Sequence, residues 1–232
     1  MANQSRSRLD RDLANLDRAL LDISAGVDQA IDGAVRALQT RDLSLAHRVD
    51  VGDAAINAQR FEIEETCLAL IARQQPAAGD LRAVLAAFSI VADLERMGDH
   101  AAGIARTVLH MGDEPLLKPL IDLPRMAETC RQMLRLALQA YVERDAEKAR
   151  PIVAMDDTVD GLYTQIFREI LSYMVEDPHT TSRGLYLIFA AHNLERIGDR
   201  VTNIVERILF MTSGEMHELN PKVSKTITDL MG

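Results

Sequence analysis

One short sequence decides the fold because it occurs twice, as Asp93-Leu94-Glu95-Arg96-Met97-Gly98-Asp99 and as Asn193-Leu194-Glu195-Arg196-Ile197-Gly198-Asp199. The two copies lie 100 positions apart, and five of their seven residues are identical. Each copy lies in an apolar run of helical character, so its Glu and Asp, four positions apart, share one helix face. The repeat indicates that one structural unit occurs twice in the chain.

The composition is that of an acidic helical protein. The chain has 232 residues, a formal net charge of −9 and 4% aromatic residues, and 47% of its residues are apolar. Few aromatic residues and many Ala, Leu and Ile residues favour helices over sheets. The acidic balance argues against nucleic acids and anionic membrane surfaces as partners, since both require a basic protein surface.

Several sequence features bear on the compartment. No stretch approaches the ~18 consecutive apolar residues of a membrane span, and the N-terminus lacks the apolar segment of a signal peptide. Cys67 and Cys130 are isolated within helical apolar patterns, which predicts two buried, reduced thiols. We therefore expect a cytoplasmic protein without membrane insertion.

The apolar spacing predicts three long helices in the first half of the chain. The first helix carries an amphipathic apolar stripe and is predicted to end near Leu38. Asp42 is expected to cap the second helix, which is predicted over about residues 43–72. Pro76 lies in the following turn, and the third helix is predicted over about residues 80–111.

The pattern then restarts. A fourth helix is predicted from about Asp122, and Arg144-Asp145 repeats the connection Arg41-Asp42 at an offset of 103 positions. The fifth helix should end near Glu176, before Asp177-Pro178. The sixth should cover about residues 180–211, with Gly214 as its terminator.

We predict an all-α fold of two tandem three-helix bundles of long antiparallel helices, residues 1–112 and 113–232. The last residues are expected to form a frayed tail or a short docking helix.

A second pair of polar residues recurs on the second helix of each unit. Asp53 and Asn57 correspond to Asp156 and Asp160 at the offset of 103. In each unit, the midpoint between this pair and the Glu-Asp pair falls in the predicted turn. Two antiparallel helices folded at that turn place both pairs at the same height, so we expect each bundle to bring them side by side.

Clustered carboxylates repel one another unless arginines or a bound cation neutralise them. Oxygen ligands suit Mg, Mn, Fe or Ca. Arg96 and Arg196 could each neutralise a nearby acid or donate to a ligand carboxylate. Gly98 and Gly198 would allow close approach of a neighbouring helix. The alternative interpretation, a solvated acidic face with ordinary salt bridges, stays open at this point.

The remaining polar residues give weaker evidence of a functional site. His100 and His192 correspond to Arg200 and Ala92 in the other copy, so both are expected to be surface or packing residues. Glu176 and His179 have the spacing of a di-iron motif, but Pro178 intervenes at a helix end. No phosphate loop, nucleophile elbow or Cys-His pair is evident, and we predict that the chain is not an enzyme.

The chain resembles the PhoU family of phosphate-transport regulatory proteins. The resemblance covers nearly the whole length and rests on the repeated L-E-R-[MI]-G-D motif, the paired polar residues of the second and fifth helices, and two loop sequences. These loops are Arg73-Gln74-Gln75-Pro76 leading to Asp80-Leu81-Arg82, and Glu176-Asp177-Pro178 leading to Ser182-Arg183.

The resemblance implies a negative regulator of the phosphate-starvation response and of phosphate uptake. Such a protein would act between the ATPase of the Pst phosphate transporter, PstB-like, and a PhoR-like sensor histidine kinase, and could form a homodimer. The implied cofactor is a divalent or trivalent metal ion: Fe, Zn, Mn or Mg. Carried over by position, with Asn203 added as a carbonyl ligand, the metal residues are Asp53, Asn57, Glu95, Asp99, Asp156, Asp160, Glu195, Asp199 and Asn203.

Two further functions fit the residues: a metal-dependent hydrolase, and a helical adaptor without metal. We also expect the second unit to bind metal more tightly than the first. Asn57 of the first unit stands where the second has Asp160, and Gly103 stands where the second has Asn203. An additional carboxylate strengthens the binding of hard cations.

Overall fold

A computed structural model describes residues 2–216 and 218–219. Across these residues the regular structure is entirely helical, which confirms the predicted fold class. The predicted tail beyond the last helix falls largely outside the described residues. The helices are α1 (Ala2–Thr40), α2 (Leu43–Gln74), α3 (Ala78–Met111), α4 (Asp122–Glu143), the short α5 (Ala146–Ala149), α6 (Val153–Glu176) and α7 (Thr181–Ser213).

The two equivalent connections have the same backbone geometry. Arg41 and Arg144 both adopt left-handed conformations, with φ of 57° and 52°. The carboxylate of Asp42 accepts a hydrogen bond from the Leu45 amide at 2.8 Å, and Asp145 accepts from two amides in the first turn of α5. Both aspartates therefore act as helix N-caps, which the sequence predicts for Asp42.

The predicted fifth helix is divided into two parts. The four-residue α5 is followed by a 3-10 turn over Arg150–Ile152, and α6 begins only at Val153. Pro151 lies in this turn; it has no backbone N–H, and its ring crowds the preceding helical turn. The proline thus interrupts the helix that the apolar pattern alone predicts as continuous.

The long helices form two layers. α3 and α7 share the largest helix–helix interface at the centre of one layer, with α2 beside α3 and α6 beside α7. α1 packs on α2 and α3, α4 packs on α6 and α7, and α1 also contacts α4. The two sets of three helices are those that the sequence predicts, whereas the division at residues 112 and 113 stays a prediction.

A single apolar core runs through both sets of helices. The predicted stripe of α1 is part of it, with five side chains at most 1% exposed: Leu16, Leu20, Ile23, Val27 and Ile31. Cys67 and Cys130 are both buried free thiols, and burial raises the pKa of Cys67 to about 12. Among the described residues, no helix combines the length and apolar character that a membrane crossing requires.

Ion pairs join α1 to α4. The Arg131 guanidinium donates to Asp28 at 3.0 Å and to Asp32 at 2.7 Å. Near the other end of the contact, the hydroxyl of buried Tyr141 donates to Asp17 at 2.8 Å. These contacts hold the two sets of helices together across the second layer.

Polar contacts also join α3 to α7, which run antiparallel. The Asn203 amide donates to Asp93 at 3.1 Å, and Arg200 donates to the same carboxylate at 3.4 Å. At the symmetry-related place, His100 Nδ1 lies 3.0 Å from the side-chain oxygen of Asn193. The two sets of helices are therefore related by an approximate two-fold axis at this contact.

Candidate functional site

In the first set of helices, α2 approaches α3 at Gly98. A Cβ atom at this position would lie 3.1 Å from Ile56 Cδ1 and 3.3 Å from Asp53 Oδ1. The carboxylate of Asp53 therefore faces α3 beside the glycine, between Glu95 and Asp99 of the repeated motif. The two polar faces meet here, as the register of the sequence predicts.

The carboxylates of this first cluster, Asp53, Glu95 and Asp99, influence one another. Burial raises the pKa of Asp53, and the neighbouring charge of Asp99 raises it further. The pKa of Glu95, which is 7% exposed, is also raised, first by burial and then by the charge of Asp99. Arg96 and Arg60 act in the opposite direction on the pKa of Glu95.

Two arginines neutralise part of the first cluster. Arg96 lies 3.2 Å from Asp99 and 3.6 Å from Glu95, as the repeated motif predicts. Arg60 of α2 lies 4.0 Å from Glu95 Oε1 and donates to Glu64 at 2.8 Å. Sequence reasoning missed Arg60; the available signal was its position on the Asp53 face, seven residues further along α2.

The second set of helices repeats the arrangement at Gly198. A Cβ atom there would lie 2.8 Å from Asp156 Oδ1, and Asp156 is 1% exposed. Arg196 contacts Asp199 at 3.2 Å and Glu195 at 3.3 Å. The second cluster therefore contains Asp156, Glu195 and Asp199, with half-buried Asp160 one turn further along α6. Half-buried Asn57 has the equivalent place on α2.

An aromatic group lies beside the second cluster. The Tyr163 ring centroid is 6.4 Å from that of Phe167 and 6.2 Å from that of His192. His192 Nδ1 lies 3.9 Å from Glu195. Burial, followed by the charge of Glu195, raises the pKa of Tyr163. The surroundings of the two clusters thus differ, although the motifs themselves match.

Asn203 is engaged in the contact between the two sets of helices. Its amide nitrogen donates to Asp93 of α3 at 3.1 Å. Its counterpart Gly103 faces Asn193 of α7, whose side-chain oxygen would be 2.9 Å from an added Cβ. These residues serve the α3–α7 contact, in which Asp93 and Asn203 are 110 positions apart, so no local sequence signal predicts it.

The donor chemistry of both clusters fits a hard cation, because all candidate ligands present oxygen atoms. As placed in the structure, however, the acidic side chains do not surround a common position for an ion. Within residues 2–216 and 218–219, no three His, Cys, Asp or Glu side chains are grouped so that they could hold a metal ion. Arg96 and Arg196 contact the carboxylates of the repeated motif. Coordination of a metal ion would therefore require these carboxylates to turn toward the acids of the neighbouring helix, α2 or α6.

The sequence matches the PhoU domain twice, over residues 20–108 and 123–208. The starts of the two matches differ by 103 positions and the ends by 100, the same offsets as in the internal repeat. The chain belongs to the PhoU family. Membership explains why the motif carrying Glu95 and Asp99 occurs once in each domain.

Relatives in the family match nearly the whole chain. The phosphate-specific transport system accessory protein PhoU homolog of Aquifex aeolicus is 36% identical over 209 residues, which cover 90% of this chain and 95% of that protein. The Rhizobium meliloti homolog is 37% identical and covers 90% and 88% of the two chains. These names describe accessory proteins, in agreement with the prediction that the chain is not an enzyme.

Solved structures of PhoU proteins share the fold. The phosphate transport system regulatory protein PhoU of Streptococcus pneumoniae superposes with a TM-score of 0.85 at 33% identity, covering 91% of this chain and all of that one. PhoU of Pseudomonas aeruginosa gives a TM-score of 0.84 at 35% identity, covering 89% and 99%. The arrangement of helices is therefore that of the PhoU family.

Proposed function

We propose that the chain is a negative regulator of the phosphate-starvation response and of phosphate uptake in the cytoplasm. It would act between a PstB-like transporter ATPase and a PhoR-like sensor histidine kinase. The observation that carries the proposal is the family relationship, with 36% identity to an accessory protein of the phosphate-specific transport system over 90% of this chain.

The surface suits a protein that works through partners. Large apolar side chains are at least 36% exposed on the central helices and their neighbour α2, as expected of a contact surface: Phe61, Leu68, Leu85, Phe88, Leu185 and Phe189. Such side chains could contact the ATPase, the kinase or a second copy in a homodimer.

We further propose that the two clusters bind a divalent or trivalent metal ion, such as Fe, Zn, Mn or Mg, and that the second cluster binds it more tightly than the first. Asp156, Asp160, Glu195 and Asp199 would hold it, and a bound ion would offset the repulsion among these acids and tie α6 to α7. The gap left by Gly198 supports this assignment, because it admits the Asp156 carboxylate beside the motif of α7.

Deletion of the gene tests the regulatory role. We expect alkaline phosphatase and the phosphate-uptake genes to be expressed in high phosphate when the protein is absent, and the intact gene to restore repression. Unchanged repression in the deletion strain would contradict the proposal. A pull-down from phosphate-replete cells should recover the transporter ATPase or the sensor kinase.

A metal titration tests the second cluster. Asp199→Ala should abolish the tighter binding step in calorimetry, and Asp99→Ala, its equivalent in the first domain, should leave that step intact. Loss of the tighter step in Asp99→Ala instead would reverse the ranking of the two clusters. Phosphatase turnover that disappears on chelation would favour a hydrolase, and an unchanged melting temperature with Mn²⁺ or Fe²⁺ would favour a metal-free adaptor.

A further inference from the structure

A groove between α1 and α2 lies apart from both carboxylate clusters, at the end of the first domain where α1 begins and α2 ends. It contains a cavity of about 310 Å³, which is in the size range of small-molecule sites. Thr66, the lining residue of α2 nearest to Asp53, follows it by 13 residues, or ~20 Å of helix. Polar side chains line the groove from both helices: Arg8, Asp12 and Asn15 of α1, and Thr66, Arg73 and Gln74 of α2.

Arg8 and Arg73 give the groove its positive charge. Both residues are exposed, and in the described part of the chain neither forms an ion pair or a side-chain hydrogen bond. The carboxylate in the groove, that of Asp12, accepts a hydrogen bond from the Gln74 amide. Two guanidiniums against one carboxylate leave a net positive charge, in a chain whose formal net charge is −9. The groove is therefore suited to an anion.

The equivalent region of the second domain has the opposite charge and is covered by the chain itself. At the offset of 103 that relates α2 to α6, Arg73 corresponds to Glu176 and Thr66 corresponds to Glu169. Lys118, in the segment that joins the two domains, forms an ion pair with Glu169, and a cavity beside Lys118 measures only about 10 Å³. The basic groove is thus particular to the first domain and is not part of the repeated architecture.

The donors of the groove suit a phosphate group. A guanidinium presents paired N–H groups that match two phosphate oxygens, and a phosphate monoester carries roughly −1.5 to −2 charge at pH 7, enough for two arginines. Asn15 adds a neutral donor: its side-chain oxygen accepts from Arg18 at 3.3 Å, and its amide nitrogen stays available to a ligand. Ala69 and Leu70 also line the groove and offer an apolar surface to the organic part of a ligand.

We propose that this groove binds a small anion that carries a phosphate group, and that Arg8 and Arg73 hold the phosphate. A bound ligand would bridge the beginning of α1 and the end of α2, so its binding would stabilise the folded chain. The groove is separate from the carboxylate clusters, so the site is independent of the metal binding proposed above. Inorganic phosphate and an organic phosphate share this chemistry, and a titration distinguishes them.

Calorimetric titration of the full chain in EDTA tests the proposal, with inorganic phosphate, AMP, adenosine and citrate as separate probes. We expect saturable binding of one phosphate-bearing probe per chain. Tighter binding of AMP would identify the ligand as an organic phosphate, and tighter binding of inorganic phosphate would identify it as the free anion. Adenosine lacks the phosphate and should not bind. Absence of saturable binding by both phosphate probes, or citrate binding as tight as theirs, would overturn the proposal.

Substitutions locate the binding in the groove. Arg73→Glu introduces the residue type that the second domain has at this position and should weaken binding roughly tenfold or more, as should Arg8→Gln. Arg36→Gln removes an exposed arginine at the other end of α1 and is the matched control, whose affinity should be unchanged. Full affinity in both groove variants, or an equal loss in Arg36→Gln, would overturn the proposal.

A conservative variant guards against misfolding. Melting curves without ligand, followed by circular dichroism, show whether each variant is folded. Arg73→Lys keeps the charge but loses the paired N–H groups, so it should bind the phosphate probe with an affinity between those of the wild type and Arg73→Glu. Wild-type affinity in a folded Arg73→Lys together with wild-type affinity in Arg8→Gln would contradict recognition of the phosphate by the two guanidiniums.

Discussion

Gly198 sets how closely α6 can approach α7. An alanine methyl group there would lie 2.8 Å from Asp156 Oδ1, and this carboxylate is almost fully buried. We expect Gly198→Ala to lower the free energy of unfolding by about 1–3 kcal/mol, because either the carboxylate or the helix must shift. Urea denaturation at neutral pH measures the change.

The other glycines provide graded controls. Gly98→Ala should be milder, since its contacts with Ile56 begin at 3.1 Å and involve the ends of an aliphatic side chain. Gly161→Ala meets nothing within 4 Å and should raise stability by about 0.5–1 kcal/mol through helix propensity. Equal stability of Gly198→Ala and Gly161→Ala would refute the steric account.

Asp53 should make the stability of the metal-free protein depend on pH. Burial, followed by the charge of Asp99, raises its pKa above the ordinary value of 3.8. A raised carboxyl pKa means that the protonated group favours folding, so its contribution is present below pH 3.8 and is lost as pH rises through the folded-state pKa. Between pH 4 and pH 7, Asp53→Asn should therefore gain stability relative to the wild type.

Urea midpoints at the two pH values, in EDTA, measure this difference. Exposed Asp10, which lies 3.0 Å from Arg6, provides the control substitution Asp10→Asn. A difference between Asp53→Asn and the wild type that stays constant with pH would show that the Asp53 charge is well solvated in the folded protein.

At the scale of whole helices, Arg131 joins α1 to α4. Its side chain is 20% exposed and contacts Asp28 and Asp32 of the other domain's first helix. Arg131→Gln should cost about 1–3 kcal/mol in urea denaturation, because two part-buried carboxylates lose a charged donor. Arg36→Gln removes an exposed pair with Asp32 at 3.6 Å and should change stability by less than about 0.5 kcal/mol. Equal effects of the two substitutions would contradict this ranking.

The sequence predicts those parts of the fold that local chemistry controls. Asp42 caps α2 because its carboxylate reaches an amide three residues away, and Pro76 separates α2 from α3 through its own ring. Pro151 is a helix-breaking signal too, but the apolar pattern continues on both sides of it. The pattern therefore predicts one helix where the structure has α5 and α6. The heights of the two polar pairs also follow from residue counting along antiparallel helices.

Contacts between distant helices were beyond such reasoning. Arg60 reaches Glu95 from another helix, and Asn203 reaches Asp93 across the boundary between the domains. Each depends on the rotation of two helices about their axes, which the packing of the whole core determines. The presence of two clusters was therefore predictable from the repeat, whereas the arginine that distinguishes them was not.

For the molecule as a whole, the continuous core predicts cooperative unfolding. The largest interface, between α3 and α7, belongs to both domains, and the apolar cluster includes residues of every long helix. Differential scanning calorimetry of the metal-free protein should therefore show one transition whose calorimetric and van't Hoff enthalpies agree. Two resolved transitions would mean that the domains unfold independently.

The contact between α3 and α7 makes the two halves of the chain non-interchangeable. Asp93 faces Asn203, while the equivalent place pairs Asn193 with Gly103. A chain built from two first domains would put Asp93 opposite glycine at both places, leaving each carboxylate without its amide donor. A chain built from two second domains would put Asn203 into the space that Asn193 occupies against Gly103. The α3–α7 contact is therefore complementary only when one first domain pairs with one second domain.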